Sequence, residues 1–246
     1  MSTNTLKQYG QPLVYRIIHP LILLLLRLKI SPNTITTIGF LLNIAVAVIF
    51  IVGAKAEHTN LAYLGWGGAM ILFAGLFDMI DGRLARLSNR STRFGALYDS
   101  VLDRYSELVM FLGITYYLIA QNYFLSSLFT FVAMIGSIMV SYVRARAEGL
   151  GIACSDGLMQ RPERILTIGI SAIACSVVSY FTGSFKYYLP GTGIPVFENI
   201  TIFVWSLAVL AVLSNYTAID RLLSSKKALQ DLENKQPTEQ ALQGGN

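Results

Sequence analysis

Four aspartates stand close together in an otherwise strongly apolar chain, at spacings that would let their carboxylates act as one group. Asp78 and Asp81 are three residues apart, and Asp99 and Asp103 are four apart. In a helix these spacings place the members of each pair on one face. Clustered carboxylates repel one another in a low dielectric unless cations hold them, and oxygen ligands suit a hard divalent ion, Mg²⁺ or Mn²⁺. The pattern therefore predicts a metal site, with a pair of ions that would clamp phosphoryl oxygens.

A simpler interpretation is that each carboxylate ends a helix at the membrane surface and pairs with Arg83, Arg86 or Arg104. Any one aspartate fits that interpretation as well as it fits a metal site. Four of them in two facing pairs favour the metal site, because ionisable groups inside a membrane are costly to keep without a function.

The residues between the two pairs favour a phosphate-containing substrate. Gly82 follows Asp81 directly and leaves out a side chain where a ligand would approach the backbone. Arg86 lies four residues later on the same face, where a guanidinium would meet a phosphate. Gly95 predicts a close approach between the helix of the second aspartate pair and the helix of the first.

These motifs lie in a chain whose composition is that of a membrane protein. Of its 246 residues, 54% are hydrophobic and 13% are charged, with a mean hydropathy of +0.54. Apolar windows of about 20 residues, the length that crosses a bilayer, recur along the sequence. We predict an all-α polytopic membrane protein with six transmembrane helices, at residues 33–52, 63–84, 94–118, 124–143, 165–180 and 196–213.

The basic residues indicate the orientation of these spans. In this layout, 16 of the 19 Lys and Arg residues fall on one side of the membrane and only Lys55 and Lys186 fall on the other. Because cytoplasmic loops collect Lys and Arg, both termini and the aspartates are predicted to be cytoplasmic. The net charge of +5 then reflects topology, and no nucleic-acid partner is expected.

The chain divides into three predicted parts. Residues 1–32 interleave cationic and apolar side chains without a cleavage site, which predicts an amphipathic helix in the cytoplasmic interface. Residues 33–223 form the six-helix catalytic domain. Residues 224–246 are polar and rich in Gln, which predicts a cytoplasmic tail that is a frayed helix or disordered.

The aspartate stretch resembles a known family. The pattern Asp78-x2-Asp81-Gly82-x2-Ala85-Arg86-x8-Gly95-x3-Asp99-x3-Asp103 matches the complete signature of the CDP-alcohol phosphotransferases. The resemblance implies a membrane transferase of phospholipid biosynthesis in which Asp78, Asp81, Asp99 and Asp103 surround two Mg²⁺ or Mn²⁺ ions and Asp103 is the general base. It also implies that the CDP part of a CDP-diacylglycerol donor contacts Asn33, Thr34, Ile35, Thr36, Gly82, Arg86 and Thr92.

A second basic group lies at the same predicted cytoplasmic level and bears on the acceptor. Arg144 and Arg146 follow the fourth span, and Arg161 and Arg164 precede the fifth. Topology alone could explain them, but Arg clusters also hold phosphate groups. The segments SYVRARAE and QRPER most resemble the prokaryotic phosphatidylinositol phosphate synthases, which transfer the phosphatidyl group of CDP-diacylglycerol to inositol 1-phosphate and release CMP. That resemblance adds Arg221 to an acceptor pocket and implies a homodimer in the plasma membrane, surrounded by membrane lipids.

Two alternatives stay open at this stage. The same chemistry could serve another alcohol, namely glycerol 3-phosphate, free inositol or serine. A protein of a different class, a cation carrier, could also use intramembrane carboxylates. A carrier needs polar groups through the full membrane depth, whereas the carboxylates of the predicted spans cluster toward one side.

Overall fold

The computed structural model describes residues 11–56, 60–154, 157–183, 185–188 and 195–243. These form seven α-helices and one short antiparallel hairpin. The helices are α1 (Gln11–Arg27), α2 (Pro32–Gly53), α3 (Ala62–Leu87), α4 (Arg93–Ala120), α5 (Phe124–Gly149), α6 (Arg161–Thr182) and α7 (Thr201–Gln243), and the strands are β1 (Lys186–Tyr188) and β2 (Pro195–Glu198). The fold is helical apart from these two strands, which the sequence did not predict.

Among the described residues, five helices are long and apolar enough to cross a membrane: α2, α3, α5, α6 and the part of α7 from Thr201 to Asn234. The sixth predicted span corresponds to α4, whose 28 residues would cover roughly 42 Å at 1.5 Å per residue. Its length is sufficient, but its N-terminal half is too polar to qualify by composition. The charged residues responsible are Arg93, Asp99, Asp103, Arg104 and Glu107.

Local sequence signals begin the helices that carry the aspartates and the first span. Ser31 caps α2, where its hydroxyl accepts a hydrogen bond from the Thr34 amide at 3.2 Å, and Pro32 occupies the first turn. Thr92 caps α4 in the same way through the Gly95 amide at 2.9 Å. Between α3 and α4, Asn89 adopts a left-handed backbone conformation with φ of 53°, which Asn tolerates better than most residues. This short connection makes α3 and α4 antiparallel neighbours in the chain.

The first helix packs its inner face against the ends of α2 and α3. Ile18, Ile22 and Leu25 are buried, and they form a small apolar cluster with Ile35, Ile80 and Leu84. Leu21, Leu23 and Leu24 on its other side are exposed. The N-terminal helix is therefore held against the same end of the bundle that carries the aspartates. Residues 1–10 of the predicted N-terminal segment lie outside the described residues.

Helices α3 and α6 cross closely at a pair of glycines. A Cβ atom at Gly68 would lie 2.7 Å from the Gly169 carbonyl oxygen, and one at Gly169 would lie 3.1 Å from the Gly68 carbonyl oxygen. Only glycine on both sides allows the two backbones to approach this closely. Further along, Gly75 faces Ile165. This crossing brings the start of α6 beside the end of α3.

The last helix begins later and continues further than the predicted sixth span. Val196 lies in β2, and α7 starts at Thr201 and stays helical to Gln243, beyond the predicted end at residue 213. Its apolar part packs against α5 and α6. Ala228 and Leu229, within the predicted polar tail, pack on Ala147, Ile152 and Cys154. Residues 244–246 are outside the described residues.

The hairpin closes the opposite end of the bundle from the aspartates. β1 and β2 pair with Tyr187 opposite Phe197. The Tyr123 hydroxyl, before α5, donates a 2.6 Å hydrogen bond to Glu198 Oε2. Burial, with the Glu198 carboxylate beside it, raises the pKa of Tyr123 above its usual range. The polar contacts at this end are therefore separate from the candidate site.

Candidate active site

The structure brings three of the four aspartates together. One carboxylate oxygen each of Asp78 on α3 and Asp99 and Asp103 on α4 lie within 4.8 Å of one another. Positions 99 and 103 share one face of α4, and the Asp78 carboxylate reaches these two from the end of α3. Sequence spacing placed these carboxylates on faces, and the packing of α2 against both helices turned the faces toward each other.

Asp81 lies beside this group but is not part of it. Its residue is 5% exposed, its side chain lies beside the Thr36 hydroxyl of α2, and its Oδ2 atom has no hydrogen-bond partner. Asp99 Oδ1 is also buried without a partner. Buried carboxylate oxygens without a donor are costly, so these atoms indicate a binding partner. The donor set, all carboxylate oxygen, fits a hard divalent cation.

Arg161, the first residue of α6, contacts the same carboxylates. Its Nη1 atom pairs with Asp78 Oδ1 and lies 2.6 Å from Asp103 Oδ1. Arg104 contributes a weaker contact to Asp103 at 3.9 Å while it donates to the Ser100 carbonyl oxygen at 2.7 Å. A guanidinium therefore stands at the cluster, where it offers donors for a phosphate as well as for carboxylates.

One buried carboxylate beside the cluster was not predicted from the sequence. Glu107 on α4 is 5% exposed. Its carboxylate accepts hydrogen bonds from Arg164, from Nε at 2.9 Å and from Nη2 at 3.2 Å. The Ser137 hydroxyl of α5 also donates to Glu107. The signal was present in the sequence, because Asp99, Asp103 and Glu107 continue one series at intervals of four on the same helix face.

The residues predicted to contact the donor lie at the start of α2, near the end of α3 and at the start of α4, and several are exposed. Thr34 and Thr92 are exposed, and a Cβ at Gly82 would meet nothing within 4 Å. Arg86 is exposed and donates to the Gly82 carbonyl oxygen at 3.1 Å. The atoms nearest to a Cβ at Gly95 belong to Thr92 and Asn33, so Gly95 admits α2 rather than α3, contrary to the expectation from sequence.

Two predicted donor positions are turned inward. The Ile35 side chain is 2% exposed and belongs to the apolar cluster with Ile80 and Leu84, so only its backbone is near the site. Thr36 is 7% exposed, and its hydroxyl donates to the Pro32 carbonyl oxygen at 3.2 Å and lies beside the Asp81 carboxylate. Thr36 therefore supports a carboxylate of the site.

The five arginines predicted for the acceptor have different environments. Arg144 is exposed and pairs with Glu148 at 2.8 Å, and Arg146 is exposed. Arg221 is 4% exposed and donates to the Val140 carbonyl oxygen at 2.9 Å. Arg161 forms ion pairs with Asp78 and Asp103. Arg164 is 1% exposed and forms an ion pair with Glu107. The five arginines therefore differ in exposure and in partner, and Arg164 faces the interior.

A small cleft lies between α2, α3, α4 and α6. Its polar wall contains Asp78, Asp81, Asp103 and Arg161, and it continues past Glu107 toward apolar side chains. The cleft thus combines carboxylates that could hold a metal ion, a guanidinium and an apolar extension. This combination suits a charged phosphate group attached to a lipid.

Comparisons with known proteins agree with this chemistry. Residues 29–213 match the family model described as CDP-alcohol phosphatidyltransferase. A phosphatidylinositol phosphate synthase of Mycobacteroides abscessus is 32% identical over 90% of this chain and 95% of its own length. An archaetidylinositol phosphate synthase of Methanothermobacter thermautotrophicus is 32% identical over 83% of this chain and 96% of its own length.

Solved structures of one relative share the fold. The crystal structure of Mycobacterium tuberculosis phosphatidylinositol phosphate synthase with CDP-DAG bound has a TM-score of 0.67 and 29% identity, and covers 85% of this chain and 94% of that one. The same protein in complex with manganese and citrate has a TM-score of 0.64 and 26% identity, with coverages of 84% and 87%.

Proposed function

Because the chain belongs to the CDP-alcohol phosphatidyltransferase family, we propose that it is a phosphatidylinositol phosphate synthase, which transfers the phosphatidyl group of CDP-diacylglycerol to inositol 1-phosphate and releases CMP. It is an integral membrane enzyme of phospholipid biosynthesis. The observation that carries the proposal is the meeting of Asp78, Asp99 and Asp103 with the Arg161 guanidinium at one cleft. Carboxylates for a divalent cation and a cation for a phosphate are the two requirements of this reaction.

Asp78, Asp81, Asp99 and Asp103 are the proposed ligands of two Mg²⁺ or Mn²⁺ ions. The unpartnered oxygens of Asp81 and Asp99 support this assignment. Bound divalent ions would neutralise the pyrophosphate oxygens of the donor and make CMP a better leaving group. The protein contributes the orientation, because Thr36 and the helix packing fix the Asp81 carboxylate.

Asp103 is the proposed general base. Its carboxylate would accept the proton of an inositol hydroxyl as that oxygen attacks the phosphorus that carries diacylglycerol. The bond from that phosphorus to the bridging pyrophosphate oxygen breaks, and CMP leaves with the electron pair. Arg161, 2.6 Å from Asp103, would keep the carboxylate oriented and stabilise the charge that develops on the phosphate oxygens.

The donor is proposed to lie over the exposed rim of the cleft. The open space at Gly82 supports close approach of the CDP group, and Arg86 supplies a guanidinium beside it. Thr92 and the residues from Asn33 to Thr36 frame this rim at the starts of α4 and α2. The amide groups of a helix N-terminus favour an anionic ligand.

The acceptor phosphate is proposed to bind Arg161 together with Arg144 and Arg146, while the buried Arg221 would support the pocket from within. Arg161 carries this proposal, because it is near the carboxylates and partly exposed. Arg144 has its guanidinium at the cytoplasmic end of α5, where a soluble anion has access. Exchange of the Glu148 carboxylate for a phosphate would preserve its charge pairing.

The finer architecture is also a proposal. We propose six spans, with α4 as the third, because the basic residues fall on alternate loops as the positive-inside rule requires. Residues 1–32 would form the interfacial segment, residues 33–223 the catalytic domain and residues 224–246 the cytoplasmic tail. Both termini and the site then face the cytoplasm of the cell that bears the enzyme in its plasma membrane, and a homodimer is the proposed assembly.

An acceptor panel tests the proposed function. Purified full-length protein with CDP-diacylglycerol and Mn²⁺ is given inositol 1-phosphate, free inositol, glycerol 3-phosphate or serine, and CMP and lipid products are measured by mass spectrometry. We expect CMP and phosphatidylinositol phosphate with inositol 1-phosphate. Faster turnover of another alcohol would reassign the acceptor. If no acceptor led to CMP release, the proposal would be contradicted. The cation-carrier alternative predicts ion flux across vesicles without CMP.

The acceptor assignment has its own test. Arg161→Gln and Arg144→Gln should each raise the KM for inositol 1-phosphate roughly tenfold to a hundredfold, since a charged hydrogen bond contributes about 1.5–3 kcal/mol. The KM for CDP-diacylglycerol should change little. Lys226→Gln removes an exposed cation at the same end of the bundle and is the matched control. Equal effects of all three substitutions would mean that these arginines serve topology only.

A further inference from the structure

Two ion pairs connect α4 and α6 one helical turn apart, and we propose that in the inner one Arg164 is a positioning residue: it neutralises Glu107 and so leaves Arg161 at the carboxylate cluster. This inference rests on the proposed function for the meaning of the cluster, but it concerns residues outside the signature. It assigns Arg164 a different role from the acceptor contact that the sequence predicted.

The geometry sets the two pairs in register. The outer pair joins Asp103 and Arg161 at 2.6 Å, and the inner pair joins Glu107 and Arg164 at 2.9 Å. Glu107 follows Asp103 by four residues on α4, and Arg164 follows Arg161 by three on α6, so each helix presents both members on one face. Helix α4 packs mainly on α2 and α5, whereas α6 packs on α3 and α7. The two helices therefore do not pack mainly on each other, and these side chains span the space between them.

The inner pair is buried and fully engaged. Besides its two contacts to Glu107, Arg164 donates from Nη1 to the Met159 carbonyl oxygen at 3.0 Å. The Ser137 hydroxyl supplies a further donor to Glu107 from α5. With Arg164 1% exposed, its guanidinium is directed at these protein groups and has no surface to offer a soluble acceptor. The pair therefore acts through the protein and not on the substrate.

Charge balance gives the pair its function. Glu107 and Arg161 line the same cleft, and Glu107 lies within electrostatic range of Arg161. If Arg164 lost its charge, Glu107 would be a buried carboxylate without a counter-ion, which is strongly unfavourable. Arg161, which lines the same cleft, could turn one helical level inward to compensate. Arg164 thus satisfies Glu107 and leaves Arg161 at the level of Asp78 and Asp103.

A double-mutant cycle tests this inference with Arg164→Gln, Glu107→Gln and the doubly substituted protein, each as the full-length chain. Arg164→Gln should raise the KM for inositol 1-phosphate about tenfold, the scale of one lost charged hydrogen bond, with the KM for CDP-diacylglycerol unchanged. Direct titration of Mn²⁺ without substrates should show tighter binding by about threefold or more, because Arg161 no longer competes for the carboxylates. In the double variant no unpaired charge remains, so both values should return to within about threefold of wild type.

Glu107→Gln separates positioning from stability. It leaves Arg164 without a counter-charge and should lower the unfolding temperature, yet Arg161 is not drawn inward, so the acceptor KM should stay near wild type. An acceptor KM raised equally by both single substitutions would overturn the inference. So would a double variant as poor as Arg164→Gln, because Arg164 would then bind the acceptor itself.

Two controls keep the outcome decisive. If Arg164→Gln does not fold, the double variant alone decides, since an acceptor KM about tenfold above wild type would overturn the inference and a near-wild-type value would support it. If wild type fails to use inositol 1-phosphate, the proposed function has failed, and the Mn²⁺ titration then tests the pair independently. Unchanged Mn²⁺ affinity in folded Arg164→Gln would overturn the positioning role.

Discussion

Substitution of Gly68 by Ala should impair catalysis from a position far from the aspartates. A Cβ there would lie 2.7 Å from the Gly169 carbonyl oxygen and 2.8 Å from Ala172 Cβ, so α3 and α6 would have to separate by roughly half an ångström to reach normal contact distance. Gly68 precedes Asp78 by ten residues, about 15 Å along α3. A displacement at the crossing therefore shifts Asp78 relative to Arg161.

The expected magnitudes follow from that displacement. Overpacking costs about 1–3 kcal/mol, offset by roughly 0.5–1 kcal/mol for replacing Gly with Ala in a helix. A misplacement of 1 Å can cost about a hundredfold in rate, so half of that should lower kcat roughly tenfold. CMP release and thermal unfolding in detergent measure the two effects.

A matched glycine makes the result interpretable. A Cβ at Gly149, at the end of α5, would meet nothing within 4 Å, so Gly149→Ala should retain wild-type kcat and stability. If Gly68→Ala behaves like Gly149→Ala in both assays, the close crossing of α3 and α6 does not set the geometry of the site, and this reasoning is refuted.

Three other substitutions test the site directly. Asp103→Asn should lower kcat by about 10²–10⁴, the usual contribution of a general base, with CDP-diacylglycerol binding retained; the exposed Asp220→Asn is the control, and turnover of Asp103→Asn near wild type would contradict the assignment. Asp81→Ala should weaken Mn²⁺ binding in a direct titration, because its unpartnered Oδ2 is a proposed ligand; an unaltered isotherm would remove it from the site. Gly82→Ala should raise the KM for CDP-diacylglycerol without changing the unfolding temperature, since only a bound ligand would meet the new Cβ; an unchanged KM would show that the donor lies elsewhere.

Local patterns in the sequence predicted much of the architecture. The apolar windows correspond to the helices from α2 to α6 within a few residues, because hydrophobic length is a local property of the chain. Ser31 and Thr92 mark helix starts through hydrogen bonds to amides three residues away. The start of α7 was placed five residues early, since the apolar residues of β2 read as part of the span.

Part of the aspartate site could be predicted from the sequence for the same reason. Spacings of three and four determine which side chains share a helix face, so Asp99 and Asp103 had to point together. That Asp78 joins them while Asp81 turns to Thr36 depends on how α2 packs across both helices. No spacing within one helix contains that information.

The two arginines at the start of α6 show what only the tertiary structure decided. Arg161 and Arg164 share a face and look equivalent in sequence, yet one meets the carboxylates of the cleft and the other is buried against Glu107. They differ in depth by three residues, about 4.5 Å along the helix, and that is enough to move a guanidinium from a partly open cleft to a closed interior. The partner of each charge is set by residues more than 50 positions away along the chain, which are brought close only when the helices pack.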